Sequence, residues 1–377
     1  METPFVYGKL AVGKNFTDRE LELRQLKNNF VSGTNTILIS PRRLGKSSLV
    51  ARAAEEVIKT NSEIRFVFID MYDVRTEEDF YRELLEKSMK AAAGKLDELV
   101  SDLRSFLTQW APTISFSIGT GMEFSLSLNW EDAKNQPSQI LNFAENLARE
   151  KGFKMVLAID EFQNIHHFKD SLAFQKKLRS NWQRHKHVSY CLYGSKRSML
   201  MEVFASPSMP FYKFGDLMLL PRIQKNFWKT FIVERFSATG KSISDDQASI
   251  IAKLVENHPY YVQQLAQMVW LRTKKAVAEG DVQEAHESLI LQMSLLFQNL
   301  AETLATSQIN FLKALLKEEK QLSSKRVIDE YKLGTSANVA RLKKTLTDME
   351  IIEQHQGKIS ISDPLFSAWL KGYYFKI

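Results

Sequence analysis

The 377-residue chain contains one cysteine, Cys191. A single thiol excludes an internal disulfide framework and a cysteine-rich zinc site. Cys191 falls in an apolar segment and is expected to behave as a small buried hydrophobe. Histidines are few, and His166, His167 and His185 have neither paired helical spacing nor Cys or acidic partners at ligand spacing. They read as surface residues, not zinc ligands. No apolar run approaches ~20 residues and no basic-then-apolar leader opens the sequence. The expectation is therefore a cytoplasmic protein that neither spans a membrane nor is exported. Charge of one sign does not dominate either: 51 Lys and Arg against 44 Asp and Glu leave +7. That balance suits a nucleic acid or another anionic partner without demanding one. The length favours two or three domains with ample material for a core.

What the chain does have is the stretch from Ile37 to Leu49, in which an apolar run leads into Ser40-Pro41-Arg42-Arg43-Leu44-Gly45-Lys46-Ser47-Ser48 and then into helix-type spacing at Leu49, Ala53 and Val57. Strand, phosphate loop and helix are expected in that order. A buried strand fixes the loop, and the helix start aims unpaired N–H groups at an anion. In this reading Pro41 to Ser48 cradle a polyphosphate. Lys46 sits on the β- and γ-phosphates, and the Ser47 hydroxyl completes a Mg²⁺ shell. The pattern wants Gly at position 40, so Ser40 can start the loop only if its backbone avoids positive φ. Taken alone, the stretch is also compatible with an ordinary strand-to-helix turn.

A second stretch narrows the choice. Lys154 to Ile159 is a continuous apolar run closed by Asp160 and Glu161, as expected of a strand buried on both faces. Acids at the C-terminal end of such a strand lie at the ligand-binding edge of the sheet. Asp160 is expected to hold the Mg²⁺ shell and Glu161 to orient and deprotonate the attacking water.

In chain order, an irregular lead-in precedes a helix for which Thr17 is the expected N-cap, with Asp18 and Glu20 in its first turn. Gly33 ends that helix. Ile64 to Asp70 is the next strand, and Thr76-Glu77-Glu78-Asp79 forms a capping box for a helix to about Ala93. Alternation through Phe116, Ile118, Phe124, Leu126 and Leu128, around Gly119-Thr120-Gly121, predicts a β-hairpin near 113–130, packed over the core or presented to a partner. Val188 to Tyr193 is the fourth strand, ending at Gly194-Ser195. Ser195 either bonds a γ-phosphate or the attacking water, or merely turns the chain. Phe214 to Leu220 is the fifth strand. From Arg222 onward the pattern is helical: Asn226 to Phe236, a helix capped at Ser244-Asp245-Asp246-Gln247, and another begun by Pro259 after Asn257-His258. A long helix follows over about Val282 to Ala305. Residues 308–377 carry 12 Lys/Arg against 8 Asp/Glu. They have the dimensions of a helix-turn-helix with a short wing, and Arg341, Lys343 and Lys344 lie on its second helix. DNA contact and a purely intramolecular or protein-docking role both fit.

Phe16-Thr17-Asp18-Arg19-Glu20, Ser40 to Ser47, Ile159-Asp160-Glu161, Tyr193-Gly194-Ser195, Asn257-His258-Pro259-Tyr260-Tyr261 and Asp363-Pro364-Leu365-Phe366 occur in an order that resembles the archaeal-type ATPases of the STAND branch of AAA+ proteins. The resemblance covers nearly the whole chain. It implies an α/β fold with a P-loop parallel sheet of order 5-1-4-3-2, a helical lid and a C-terminal winged helix. The corresponding division is 1–221, 222–305 and 306–377. It also implies that Phe16, Asp18, Arg19 and Pro259 close over the adenine of ATP or ADP. Asn257 stands where the family usually has Gly, and Asn is the next-best residue for left-handed backbone.

The resulting expectation is a slow, Mg²⁺-dependent ATPase, with Lys46, Glu161 and Ser195 acting on the γ-phosphate, that works as a nucleotide-driven switch in signalling or regulation. Its transition state needs positive charge, for which Arg179, Arg184, Arg197 and Arg222 are candidates. A homo-oligomer or protein partner could supply that charge instead. The alternatives are a DNA-binding ATPase of initiator type, a nucleotide-regulated transcription factor with little turnover, and a scaffold that keeps ADP as a structural ligand.

Overall fold

The computed structural model describes residues 3–92, 114–118, 124–128, 136–355 and 357–377. They form two compact units: Arg19–Pro221, and Met1–Asp18 together with Arg222–Ile377.

In the first unit α1 (Glu20–Ser32) leads to β1 (Thr36–Ile39), α2 (Lys46–Thr60), β2 (Ile64–Asp70) and α3 (Glu77–Ala92). The antiparallel pair β3 (Ile114–Ile118) and β4 (Phe124–Leu128) follows, with Ile114 opposite Leu128. The hairpin read from the alternation is therefore present, while its tip at 119–123 lies outside the described residues. Next come α4 (Pro137–Leu141), α5 (Phe143–Lys151), β5 (Lys154–Asp160), α6 (Ser171–Trp182), β6 (Val188–Gly194), α7 (Arg197–Ala205) and β7 (Asp216–Leu219). Five strands form a parallel sheet in the order β2-β5-β6-β1-β7. Without the hairpin strands, that is the expected 5-1-4-3-2. β1 and β6 are buried along their whole length, because helices cover both faces of a parallel sheet. The edge strands β2 and β7 are the ones that expose apolar side chains, at Phe68, Leu217 and Leu219.

The register places the chemistry. Ile39 at the end of β1 is level with Gly194 at the end of β6, and Ile159 of β5 is level with Leu192. Ser40, Asp160, Glu161 and Ser195 therefore leave the sheet at one edge, where the loop before α2 also lies. Thr76 and Asp79 cap α3 reciprocally, at 3.1 Å in each direction. Thr17 does not cap α1. That helix starts at Glu20 behind a left-handed Arg19 with no side-chain cap, and Asp18 is left-handed as well.

The second unit comprises α8 (Lys225–Ser237), α9 (Asp245–Leu254), α10 (Pro259–Arg272), α11 (Asp281–Glu302), α12 (Thr306–Leu316), α13 (Lys325–Glu330) and α14 (Ser336–Asp348). The antiparallel strands β8 (Ile352–His355) and β9 (Lys358–Ile361) and the short helix α15 (Pro364–Trp369) complete it. The helix pair α13–α14 with the wing β8–β9 is a winged helix. Ser244 and Gln247 form the expected capping box, and Pro259 occupies the first turn of α10. One continuous apolar core runs from Trp228 in α8 to Leu370. The N-terminal tail joins it: Phe5 is 1% exposed and packs on Phe231 and Phe236 with centroids 6.2 and 5.8 Å away. The Val6 N–H donates to Gln263 Oε1 at 2.9 Å.

Candidate functional site

The loop from Ser40 to Gly45 starts on a buried strand and ends on a helix, and its backbone shows how it turns. Ser40 is not among the positive-φ residues, so it meets the condition that replaced Gly at that position. Its hydroxyl donates to the Pro41 carbonyl at 2.9 Å, and its N–H reaches Gly194 O at 3.4 Å. The left-handed positions are Arg43, with φ 62°, and Gly45, with φ 92°. Gly45 is then the N-cap of α2, and a Cβ built there would meet no atom within 4 Å. The loop is thus uncrowded beside Gly45, and the α2 start behind it carries the N–H groups that an anion cradle uses. Leu44, Lys46 and Ser48 are buried, while Arg42 and Arg43 are exposed. Arg19, 3% exposed, supports the loop from behind through Nη2, which donates to the Leu44 carbonyl at 3.3 Å. Its Nη1 donates to Glu22 at the same distance.

Around this loop the predicted groups converge. Lys46 Nζ donates to Glu161 Oε1 at 3.0 Å and lies 3.8 Å from Asp160 Oδ1. Ser47 Oγ donates to Asp160 Oδ2 at 2.7 Å. Ser195 donates to Glu161 Oε2 from its backbone N–H at 3.2 Å and its hydroxyl at 2.9 Å. Glu161 itself has φ 50°, which turns the chain sharply off β5. Burial pushes the Asp160 carboxyl above its ordinary value, outweighing Lys46 and Ser47. Burial also acts on Glu161, but there Lys46, Gln163 and Ser195 prevail and hold it below its ordinary value. One cation thus serves two carboxylates. A triphosphate arriving here would add negative charge beside two carboxylates that already share Lys46, and a divalent cation would offset that charge. Ser47 Oγ and Asp160 Oδ2, adjacent hard oxygens, are the donor type that Mg²⁺ takes alongside water and phosphate oxygens.

Other predicted residues sit on other elements. Phe16, Asp18 and Pro259 belong to the helical unit. Two of the four candidate arginines are engaged elsewhere. Arg179 donates to Pro210 O at 3.1 Å and covers the Phe214 ring. Arg222 donates to Glu256 Oε2 at 2.7 Å and to Glu353 Oε1 at 2.8 Å. Arg184 is exposed, and Arg197 opens α7 just after Ser195. His185 is half-buried, not a freely exposed surface residue. It bridges the Tyr190 hydroxyl at 2.6 Å and Asn142 Oδ1 at 2.8 Å. Burial holds its pKa well below the usual histidine range, against the pull of Glu145. Cys191 is buried and free, with its thiol pushed up by burial.

Two features escaped the sequence reading. Gln163, 1% exposed, donates from Nε2 to Glu161 Oε2; its place two residues after the acid pair was the one available hint. In the helical unit, Tyr261 OH donates to Asp363 Oδ2 at 2.6 Å, joining two motifs that the sequence separates by a hundred residues. Asp363 also caps α15 through the Leu365 and Phe366 N–H groups. Asn257, left-handed as its residue type suggests, follows a left-handed Glu256. That turn is held by Arg222 on Glu256 O at 3.2 Å and Trp228 Nε1 on Asn257 O at 3.3 Å.

A parallel sheet of this order, a Gly-Lys-Ser loop at its edge and two carboxylates on a neighbouring strand define a P-loop nucleotide-binding fold. The chain belongs to the family described as the ATPase domain predominantly from Archaea, which it matches over residues 16–265. Residues 295–372 match a probable winged helix domain. A curated relative, an uncharacterised ATP-binding protein of Methanocaldococcus jannaschii, is 31% identical over 153 residues, 40% of each chain. The matched stretch thus spans less than half of that relative. Among solved structures, the fold is similar to that of a Walker-type ATPase of Pyrococcus abyssi, with TM-score 0.66, 17% identity, and 98% and 100% of the two chains covered. It is also similar to the Aeropyrum pernix ORC2 protein in ADPNP–ADP complexes, with TM-score 0.55, 13% identity and coverage of 96% and 92%. The Aeropyrum pernix ORC1 protein in complex with DNA gives TM-score 0.50 at 12% identity, with 100% and 99% covered. Among the described residues no helix is long and apolar enough to cross a membrane.

Proposed function

We propose that the protein is a Mg²⁺-dependent ATPase that works as a nucleotide-driven switch, in the manner of the STAND branch. The observation that carries this reading is the meeting of Lys46, Ser47, Asp160, Glu161 and Ser195 within hydrogen-bond distance at one edge of the sheet. In it, the N–H groups from Pro41 to Ser48 and the Lys46 ammonium bind the phosphates, and Ser47 and Asp160 hold Mg²⁺. The ion, when bound, neutralises phosphate charge. Glu161 orients the attacking water and takes its proton, with Ser195 beside it. Phe16, Asp18, Arg19 and Pro259 keep the base contacts that the family resemblance implies, and Arg19 also braces the loop at Leu44. Residues 222–305 act as lid and 306–377 as winged helix. Arg222 and Tyr261 fasten them together, so they respond to nucleotide as one body.

Phosphate release by wild type and Glu161→Gln tests the reading. The variant should lose turnover by about 10²–10⁴-fold while ATP still raises its melting temperature. Equal release by the two proteins would refute hydrolysis at this centre.

A second reading, a DNA-binding ATPase of initiator type, draws on the exposed Arg341 and Lys344 of α14 and on the fold shared with a protein solved on DNA. Random duplex should then bind with an affinity that falls steeply with salt, and Arg341→Ala with Lys344→Ala should flatten that slope. Binding that ignores salt removes this reading.

A further inference from the structure

Glu161 is gripped unequally at its two oxygens. Oε1 accepts from Lys46 Nζ at 3.0 Å, the group that a phosphate would claim. Oε2 accepts from the Ser195 N–H, the Ser195 hydroxyl and Gln163 Nε2. Gln163 is buried, and its amide has one workable orientation, since the reverse sets its carbonyl against Glu161 Oε2. In that orientation Gln163 Oε1 is buried without a hydrogen-bond partner. It faces Gly194 so closely that an added Cβ there would lie 2.0 Å away. The fold therefore tolerates an unsatisfied carbonyl and a strand end bare of any side chain, while one N–H stays on the carboxylate. An apolar side chain of the same length would fill the space with no orphaned atom, so packing alone does not account for an amide here.

We infer that Gln163 is a positioning residue for hydrolysis. It fixes Oε2 of Glu161, leaving Oε1 directed toward Lys46 and the phosphate side as the oxygen that receives the water proton. This rests on the ATPase reading of the site. As the water oxygen bonds to the γ-phosphorus, its proton passes to Glu161 Oε1. The bond from the γ-phosphorus to the bridging oxygen breaks, and its electron pair leaves on ADP. Gln163 exchanges no proton and keeps the base aligned throughout.

The test compares wild type, Glu161→Gln, Gln163→Met, Gln163→Glu and Gly194→Ala in single-turnover phosphate release. Each is also assayed for affinity toward a fluorescent, non-hydrolysable ATP analogue. Gln163→Met keeps the shape without the donor. Its rate should fall about tenfold to a hundredfold, with analogue affinity within about twofold of wild type. Gln163→Glu puts an anion against Glu161 and should fall further. Gly194→Ala displaces the amide and should reproduce the Met variant's loss. If that variant fails to fold, the Met and Glu variants decide between them. A Gln163→Met rate within about twofold of wild type overturns the inference, as does a parallel loss of affinity and rate, which marks a merely structural role. Equal phosphate release by wild type and Glu161→Gln overturns the ATPase reading and the inference with it.

Discussion

Two sets of polar side chains, one in each unit, serve opposite uses. In the sheet unit one set converges on one strand edge, where Lys46, Asp160, Glu161, Gln163 and Ser195 bond chiefly to one another. In the helical unit the other joins elements far apart in sequence: Tyr261 to Asp363, Arg222 to Glu256 and Glu353, and Gln263 to Val6. Strand register and loop backbone place the first set, so its members are poised for a ligand. The second set holds a helical assembly in one arrangement. The difference implies that changes at the strand-edge set act mainly on ligand chemistry, and those at the helical links on stability.

The largest test of that contrast is Lys46→Ala. Turnover should fall about a thousandfold, roughly 4 kcal/mol, and the rise in melting temperature caused by ATP should vanish. Next is Phe5→Ala, which opens a cavity between Phe231 and Phe236 and should cost about 3–4 kcal/mol in denaturant unfolding without nucleotide. If instead Phe5→Ala left unfolding unchanged, the tail would not be part of the helical core. Tyr261→Phe removes a hydrogen bond to a carboxylate and should cost about 1–3 kcal/mol, read by the same unfolding curves. A loss confined to turnover would break the contrast.

The smallest effect concerns pH. The folded state holds His185 below the usual histidine value, so the unfolded chain binds the extra proton first. Stability is then complete above about pH 6.5 and declines as pH falls toward the lowered folded value. Glu145, whose ordinary value burial would raise, is brought down by N–H groups of Lys186 and His187 and by the His187 ring. Its contribution is present above the ordinary carboxylate value and is lost only as pH falls through the lowered one. His185→Gln should therefore flatten the pH 6.5 to 5 portion of a urea-unfolding series and leave the more acidic portion in place. An unchanged series would show that His185 does not titrate on unfolding.

Local chemistry made much of this legible. Gly45-Lys46-Ser47 and Asp160-Glu161 announce themselves because the chemistry needs those types side by side, and the sheet order followed from the family resemblance. The capping boxes at Thr76 and Ser244 were readable because both partners lie within one turn. What was missed is of two kinds. Thr17 looked like a cap because residue type favours it, yet the left-handed Asp18 and Arg19 delay the helix to Glu20. His185, through Asn142, and Phe5 and Tyr261 depend on partners at distant positions, which no periodicity encodes. Gln163 stood in plain view after the acid pair, but its meaning comes from Gly194 across the sheet.

Because Met1–Asp18 and Arg222–Ile377 make one unit, the sheet unit is a continuous insertion in the sequence of the helical one. A pulling force applied between residues 5 and 370 therefore has both handles in the helical assembly and loads its core directly. In an optical trap the first rip should report the helices, and ATP should harden the second.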